Sequence, residues 1–384
     1  MSMQRRDFIK AGVAGWIIFQ TAASRALANP TQSSKNPKKI VWVMLRGGMD
    51  SLHAVLPIGD PDFMHIRGSL VAPIKDKLLP MHNGFALHPA LKNCHNWYQN
   101  KEFLPVVAVA SGYRKRSHFD AQDQMESGLN NTDYESGWLA RAVGMLKGHG
   151  LAIAQTVPIA LRGEEPSQTW FPSHFTASDD DLIARLRSLY AGNKEFSGLL
   201  ESAVNNRDML DMDGETRARP NFSYLAKNCG ELLSRDDSAN CAMLELGGWD
   251  THNNQQQRLN RQFSMLDNGL AELKNALGDT WQDTVVLVTT EFGRTVAVNG
   301  TKGTDHGTGS TMFMLGGAVK GKQVLGQWPG LAKESLFEER DLTPTTDVRS
   351  WMASVLHQHW NLPLDKIAKV FPDVEPAAQA IVKA

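Results

Sequence analysis

Cysteine is scarce: Cys94, Cys229 and Cys241 are the only three in 384 residues. An odd count without metal-type spacing excludes a complete disulfide framework, and the three read as small buried hydrophobes rather than ligands. Excess charge is also missing. The formal net charge is −1, so bulk charge gives no sign of a nucleic-acid partner. Long apolar runs are missing too. The moderately apolar stretch 11–23 is too short for a membrane span. No internal repeat or low-complexity tract is evident. What is present is ten tryptophans and 32 glycines, which suggest glycine-rich loops on a solid core. The length suffices for one large α/β domain or two modest ones.

The N-terminus reads as an address rather than as structure. Arg5-Arg6-Asp7-Phe8-Ile9-Lys10 has the twin-arginine form. The apolar stretch follows it, and Ala26-Leu27-Ala28 supplies a small-x-small cleavage site. A basic N-terminus on an uncleaved cytosolic protein is the alternative, but pair, run and site occurring in order favour a signal. We therefore expect a signal peptide over 1–28, a flexible leader over 29–39, and a single folded domain over 40–384. The expected location is periplasmic or secreted. The twin-arginine export machinery is an expected partner, and no membrane span should remain after cleavage. That route carries folded proteins, often with cofactors.

One grammar recurs three times along the chain. The apolar run Ile40–Leu45 ends in Arg46-Gly47-Gly48-Met49-Asp50. Met243–Leu246 ends in Gly247-Gly248-Trp249-Asp250-Thr251-His252. Val285–Val288 leads to Glu291 and Arg294, then through a glycine-containing loop to Asp305-His306-Gly307. Short apolar runs bounded by turn residues predict buried strands, and α/β proteins bind ligands beyond the carboxyl ends of such strands. Phe103–Ala110 is a further strand, followed by Tyr113-Arg114-Lys115-Arg116-Ser117-His118. Ser117 is placed to cap a helix over His118–Ser127. A helix N-terminus with arginines beside it suits an anion. A plain cap beside a solvated basic loop is the other reading. Asp50 divides evenly between metal ligand and helix cap. The stretch 57–84 is loop-rich. Strands are expected over Leu151–Thr156 and Thr311–Leu315, and 158–177 should be irregular. Leu259, Phe263, Leu266, Leu270, Leu273 and Leu277 mark the core face of a long helix over Gln255–Leu277.

Collected, the strand-end residues are Asp50, Ser117, His118, Asp250, His252, Glu291, Arg294, Asp305 and His306. Carboxylates with neutral imidazoles are a ligand set for zinc or manganese. Calcium and magnesium prefer all-oxygen sites. Such a metal could polarise an ester oxygen, and Ser117 could instead attack directly. A polar network that only pins loops together is the bland alternative.

These residues fall in five pieces: LRGGMDSL (45–52), RSHFDAQD (116–123), GGWDTH (247–252), EFGRT (291–295) and GTDHG (303–307). In them the chain resembles the exported family called domain of unknown function 1501, which is related to the alkaline phosphatase and sulfatase superfamily. The resemblance implies an α/β fold with a mostly parallel central sheet between helical layers. It also implies a metal-dependent hydrolase of sulfate or phosphate esters, acting on a small anionic substrate. By position it implies that Ser117 is the nucleophile, and we expect catalytic roles for Ser117, His118 and Arg294. Arg46, Arg116 and Asp305 would bind substrate. Asp50, Asp250, His252, Glu291 and His306 would hold a divalent metal, zinc or manganese rather than calcium or magnesium. Glu291-Phe292 stands where the superfamily has Asp-His, so a one-metal site or a metal-free anion site fits as well as two metals. A non-catalytic binding or assembly protein that keeps the fold is the alternative function. Glu291 paired with Arg294 in a collapsed site would favour it.

Overall fold

A computed structural model describes residues 38–172, 180–201 apart from 195 and 199, and 220–383. The expected signal peptide and most of the expected leader lie outside these. Eight strands form the main sheet: β1 (Lys39–Leu45), β2 (Phe103–Ala110), β3 (Gly150–Ala152), β4 (Ser167–Thr169), β5 (Cys241–Leu246), β6 (Thr284–Thr290), β7 (Ser310–Leu315) and β8 (Thr346–Asp347). Their order across the sheet is β8-β2-β7-β6-β1-β5-β3-β4. β1 is central, with β5 and β6 parallel on its two sides. Every pairing is parallel except those of β7, which runs against both β6 and β2.

The sequence of β1 explains its place. Val41, Val43 and Leu45 enter one core and Ile40, Trp42 and Met44 the other, and all six are fully buried. A strand apolar on both faces must be covered on both. One layer contains α2 (Lys92–Gln99), α5 (Phe222–Leu233) and α6 (Gln255–Leu277). The opposite layer contains α4 (Trp138–Met145), α7 (Val348–Gln358) and α8 (Leu364–Val370). The α/β architecture with a mostly parallel sheet between helical layers is therefore the one the chain adopts. Among the described residues, no helix is long and apolar enough to cross a membrane.

The antiparallel strand matters for function. β6 ends at Thr290, and residues 291–309 connect it to its neighbour β7 without a crossover helix. A connection between adjacent strands that has no crossover leaves the second strand antiparallel. That loop therefore stays at the carboxyl ends of β1, β5 and β6. The helix α3 (His118–Ser127) follows the carboxyl end of β2 and has the expected bounds. Two expectations changed. The strand expected over Leu151–Thr156 closes after Ala152, and β4 lies in the stretch expected to be irregular. Loop-rich 57–84 contains the helix α1 (Phe63–Val71), seated by Phe63, Leu70 and Val71.

His53 and His88 lie fully buried beside Phe263, their ring centroids 5.1 Å apart. Burial holds His53 at about 4, with Asp50 pulling its pKa up and Arg67 pushing it down. Burial and the neighbouring His53 hold His88 at about 3. Both values lie below the unfolded 6.5. The unfolded chain therefore binds more protons as the pH falls, and the stability present above 6.5 is progressively lost. Urea unfolding should show this decline between about pH 6.5 and pH 4, and His53→Leu should flatten it. An unchanged slope in that variant would contradict the assignment.

Candidate metal centre

The segments after β1, β2, β5 and β6 converge at the carboxyl edge of the sheet. At their focus stand three imidazole nitrogens and a carboxylate oxygen. His306 Nε2 lies 3.0 Å from His118 Nε2, 3.0 Å from His252 Nε2 and 3.3 Å from Asp250 Oδ1. Asp250 Oδ1 lies 2.9 Å from His252 Nε2 and 3.6 Å from His118 Nε2. The donor atoms of His118, Asp250 and His306 all fall within 4.8 Å of one another.

The far nitrogen of each ring is committed. His118 Nδ1 donates to Glu291 Oε1 at 2.6 Å, His252 Nδ1 to Asp305 Oδ1 at 3.0 Å, and His306 Nδ1 to the Arg116 carbonyl at 3.0 Å. Carbonyls and ionised carboxylates only accept, so these partners assign the proton to Nδ1 in each neutral ring. The Nε2 lone pairs of His118 and His252 then both lie against His306 Nε2. Lone pairs and an anionic oxygen so close repel unless a cation stands between them. Donors held about 2.0–2.1 Å from zinc at tetrahedral angles would be about 3.3 Å apart. His118, Asp250 and His306 thus fit a divalent ion in charge and spacing, and His252 Nε2 adjoins two of their donor atoms. Held second nitrogens of this kind are the usual support for histidine ligands.

Charge supports the same reading. Burial raises the Asp250 carboxyl, but the charge and hydrogen bond of Arg294, then His252 and His118, hold it below the ordinary value. Burial likewise raises Glu291, and hydrogen bonds from His118, Gln122 and backbone N–H groups more than reverse that. Burial lowers His306, and the nearby His118 lowers it further. An ionised carboxylate and a neutral imidazole are the ligand forms.

The loops are locked by groups that the sequence reading assigned otherwise. Glu291, expected as a ligand, accepts from His118, from Gln122 Nε2 at 2.8 Å and from the Gly47 N–H at 2.8 Å, so it orients His118 instead. His118, expected as catalytic, supplies a donor atom. Asp50, also expected as a ligand, lies outside the cluster. Its oxygens accept from Arg67 at 2.6 and 3.2 Å and from Gln255 Nε2 at 2.5 Å. Gln255 in turn accepts from Thr251 Oγ1 at 3.0 Å and Thr304 Oγ1 at 2.6 Å, the neighbours of His252 and Asp305. Gly47 has φ +120°, and a Cβ there would stand 2.6 Å from the Asp250 nitrogen. That approach explains the glycine.

The arginines also differ from expectation. Arg46 is taken by Gln122, Glu126 and Glu245, and Arg116 by Asp341 and Glu338. Arg294 is buried beneath the cluster and donates to Asp250 Oδ1 at 2.7 Å and to the Trp249 carbonyl. It does not pair with Glu291. Asp305 holds His252 Nδ1. Ser117 occupies the N-cap position of α3, its polar atoms beside the Tyr113 hydroxyl, and its side chain makes no capping bond. The sequence reading missed Gln122, Arg67 and Gln255. For Gln122 a signal existed: it lies four residues after His118, on the same helix face. Arg67 and Gln255 had none, because their partner is distant in sequence.

A family model described as "Protein of unknown function (DUF1501)" matches residues 99–371. The chain belongs to this family. The DUF1501 match takes in every donor of the cluster, whereas Arg46, Asp50 and Arg67 precede it. No curated protein matches the sequence. Among solved structures, alkaline phosphatase from the Antarctic bacterium TAB5 is similar over 88% of this chain and 99% of its own, at 10% identity and a TM-score of 0.37. A protein in the alkaline phosphatase superfamily from Vibrio parahaemolyticus covers 85% of this chain and 67% of its own, at 10% identity and 0.39. The C-terminal periplasmic domain of EcEptC from Escherichia coli, in complex with Zn, covers 77% of each, at 11% identity and 0.37.

Removing Asp50 should show how far the loops depend on it. Asp50→Ala leaves the buried Arg67 guanidinium without its carboxylate, a loss of about 3–5 kcal/mol in urea unfolding. A loss below about 1 kcal/mol would mean that Arg67 finds compensation elsewhere.

Proposed function

We propose that this DUF1501 protein is a divalent-metal hydrolase of sulfate or phosphate esters. The observation that carries the metal reading is the clustering of His118, Asp250 and His306 donor atoms within 4.8 Å, with His252 Nε2 beside two of them and every Nδ1 proton spoken for. His118, His252, His306 and Asp250 would hold the ion, zinc or manganese by the nitrogen and oxygen donor set. Bound there, it would supply a Lewis acid for an ester oxygen and a water acidified toward neutral pH. Glu291 and Asp305 fix the rings of His118 and His252. Arg294 keeps Asp250 ionised from below. Ser117 stands one residue before His118 with its hydroxyl not used as a cap, and in this reading it is the nucleophile.

Export by the twin-arginine machinery to the periplasm or outside belongs to the same proposal. It rests on Arg5-Arg6, the apolar run and the Ala26-Leu27-Ala28 site. A route that carries folded proteins suits a centre built from distant residues.

One observation favours the second reading, a binding or assembly protein without catalysis. Arg46 and Arg116 spend their guanidinium groups on carboxylates, and Arg294 gives its Nη2 to Asp250 while its buried Nε and Nη1 have no partner among the described residues. The charge of an anionic ester would then be met by the centre without Arg46 or Arg116.

Elemental analysis of the exported protein separates the possibilities. Near-stoichiometric zinc or manganese is expected, and Asp250→Ala and His306→Ala should each lose it. A folded protein that takes up no divalent ion would refute the metal reading. With sulfate and phosphate ester substrates, Ser117→Ala should lower kcat by a factor on the order of 10³ or more while keeping the metal. Full activity in that variant would remove Ser117 from the chemistry. A metal-loaded protein that turns over none of these esters would favour the binding reading.

A further inference from the structure

We propose that Asp341, which touches none of the donor atoms, is a positioning residue for His306 and thereby sets the metal affinity. The inference rests on the metal reading above. Asp341 is fully buried. Its Oδ2 accepts from Arg116 Nε at 3.1 Å, from Arg116 Nη2 at 2.8 Å and from Thr308 Oγ1 at 2.8 Å, while Oδ1 accepts from Arg340 at 3.0 Å. Two of these partners flank His306. Arg116 supplies the carbonyl that receives the His306 Nδ1 proton. Thr308 lies two residues after His306, and its own carbonyl accepts from the Gly293 N–H at 3.1 Å.

Arg116 needs such an anchor. Its φ is +59°, a left-handed conformation that costs a residue with a Cβ about 1–2 kcal/mol. That conformation aims its carbonyl at His306. The guanidinium fork onto Asp341 offsets the cost, and a planar fork is a directional contact that a lysine cannot reproduce. Asp341 is itself fixed, since its backbone exchanges hydrogen bonds with Phe337 at 2.9 and 3.0 Å. Glu338 also accepts from Arg116, at 2.5 Å, but its side chain is 57% exposed. The buried carboxylate is therefore the anchor.

Cobalt titration of the full-length, metal-stripped protein tests this by chelator competition and by the visible d–d spectrum. Asp341→Asn and Arg116→Lys should each bind Co²⁺ about 10- to 100-fold more weakly than the unaltered protein, the usual cost of losing support behind a ligand. Both should shift the d–d bands, which a residue serving only stability would leave in place. Arg116 is partly exposed, so Arg116→Lys decides alone if Asp341→Asn does not fold. Wild-type affinity and an unshifted spectrum in the folded variants would overturn the positioning role. Failure of the unaltered protein to bind Co²⁺ would instead overturn the metal reading, and this inference with it.

Discussion

Asp50 presses both carboxylate oxygens against Arg67 in a place sealed from water. Breaking such a pair is costly because the remaining charge stays buried and alone. Its geometry reaches further than the pair. Arg67 comes from α1 and donates to the carbonyls of Thr295 and Val296. Gln255, at the head of α6, carries the contact on to Thr251 and Thr304. One buried carboxylate thus ties the ends of β1, β5 and β6 together. Metal donors on loops would be loosely placed without it. Behind the focus the loops are held by this polar network and packed by Trp249 and Phe263.

A division of labour follows. Carboxylates in dry surroundings, Asp50, Glu291 and Asp341, serve as scaffolding, while the half-exposed Asp250 faces the focus. The three differ in what they hold: a buried arginine, an imidazole with a glutamine, and a strained turn. Arginines follow the same rule. Arg46, Arg67, Arg116 and Arg294 each donate to a carboxylate, so their positive charge stabilises acidic groups.

Much of the fold was legible in the sequence, because burial on both faces leaves an unbroken apolar run. β1, β2, β5 and β6 appear as such runs, and α6 announces itself by its leucine stripe. The bounds of α3 follow from Ser117 before it and the left-handed Gly128 after it. Short edge strands such as β4 carry no such run, and α1 hides in a stretch rich in proline and glycine. The site was legible as a set of residues and illegible as a set of roles. Asp250, His252, His306, Glu291 and Asp50 all sit on strand-end loops, and nothing local says which will reach the focus. Glu291 falls behind His118 because α3 carries His118 and Gln122 over it together. Asp50 is drawn away by Arg67, which the sequence gives no reason to connect with it.

The three histidines come from segments 188 and 54 residues apart. Only the short segment 250–252 carries two of the donors together, Asp250 and His252; the others come from separate segments. A complete donor set therefore exists only once these distant segments are brought together. Any ion bound there would be taken up late, by completed tertiary structure. Occupancy of the centre would serve as a census of correctly assembled molecules.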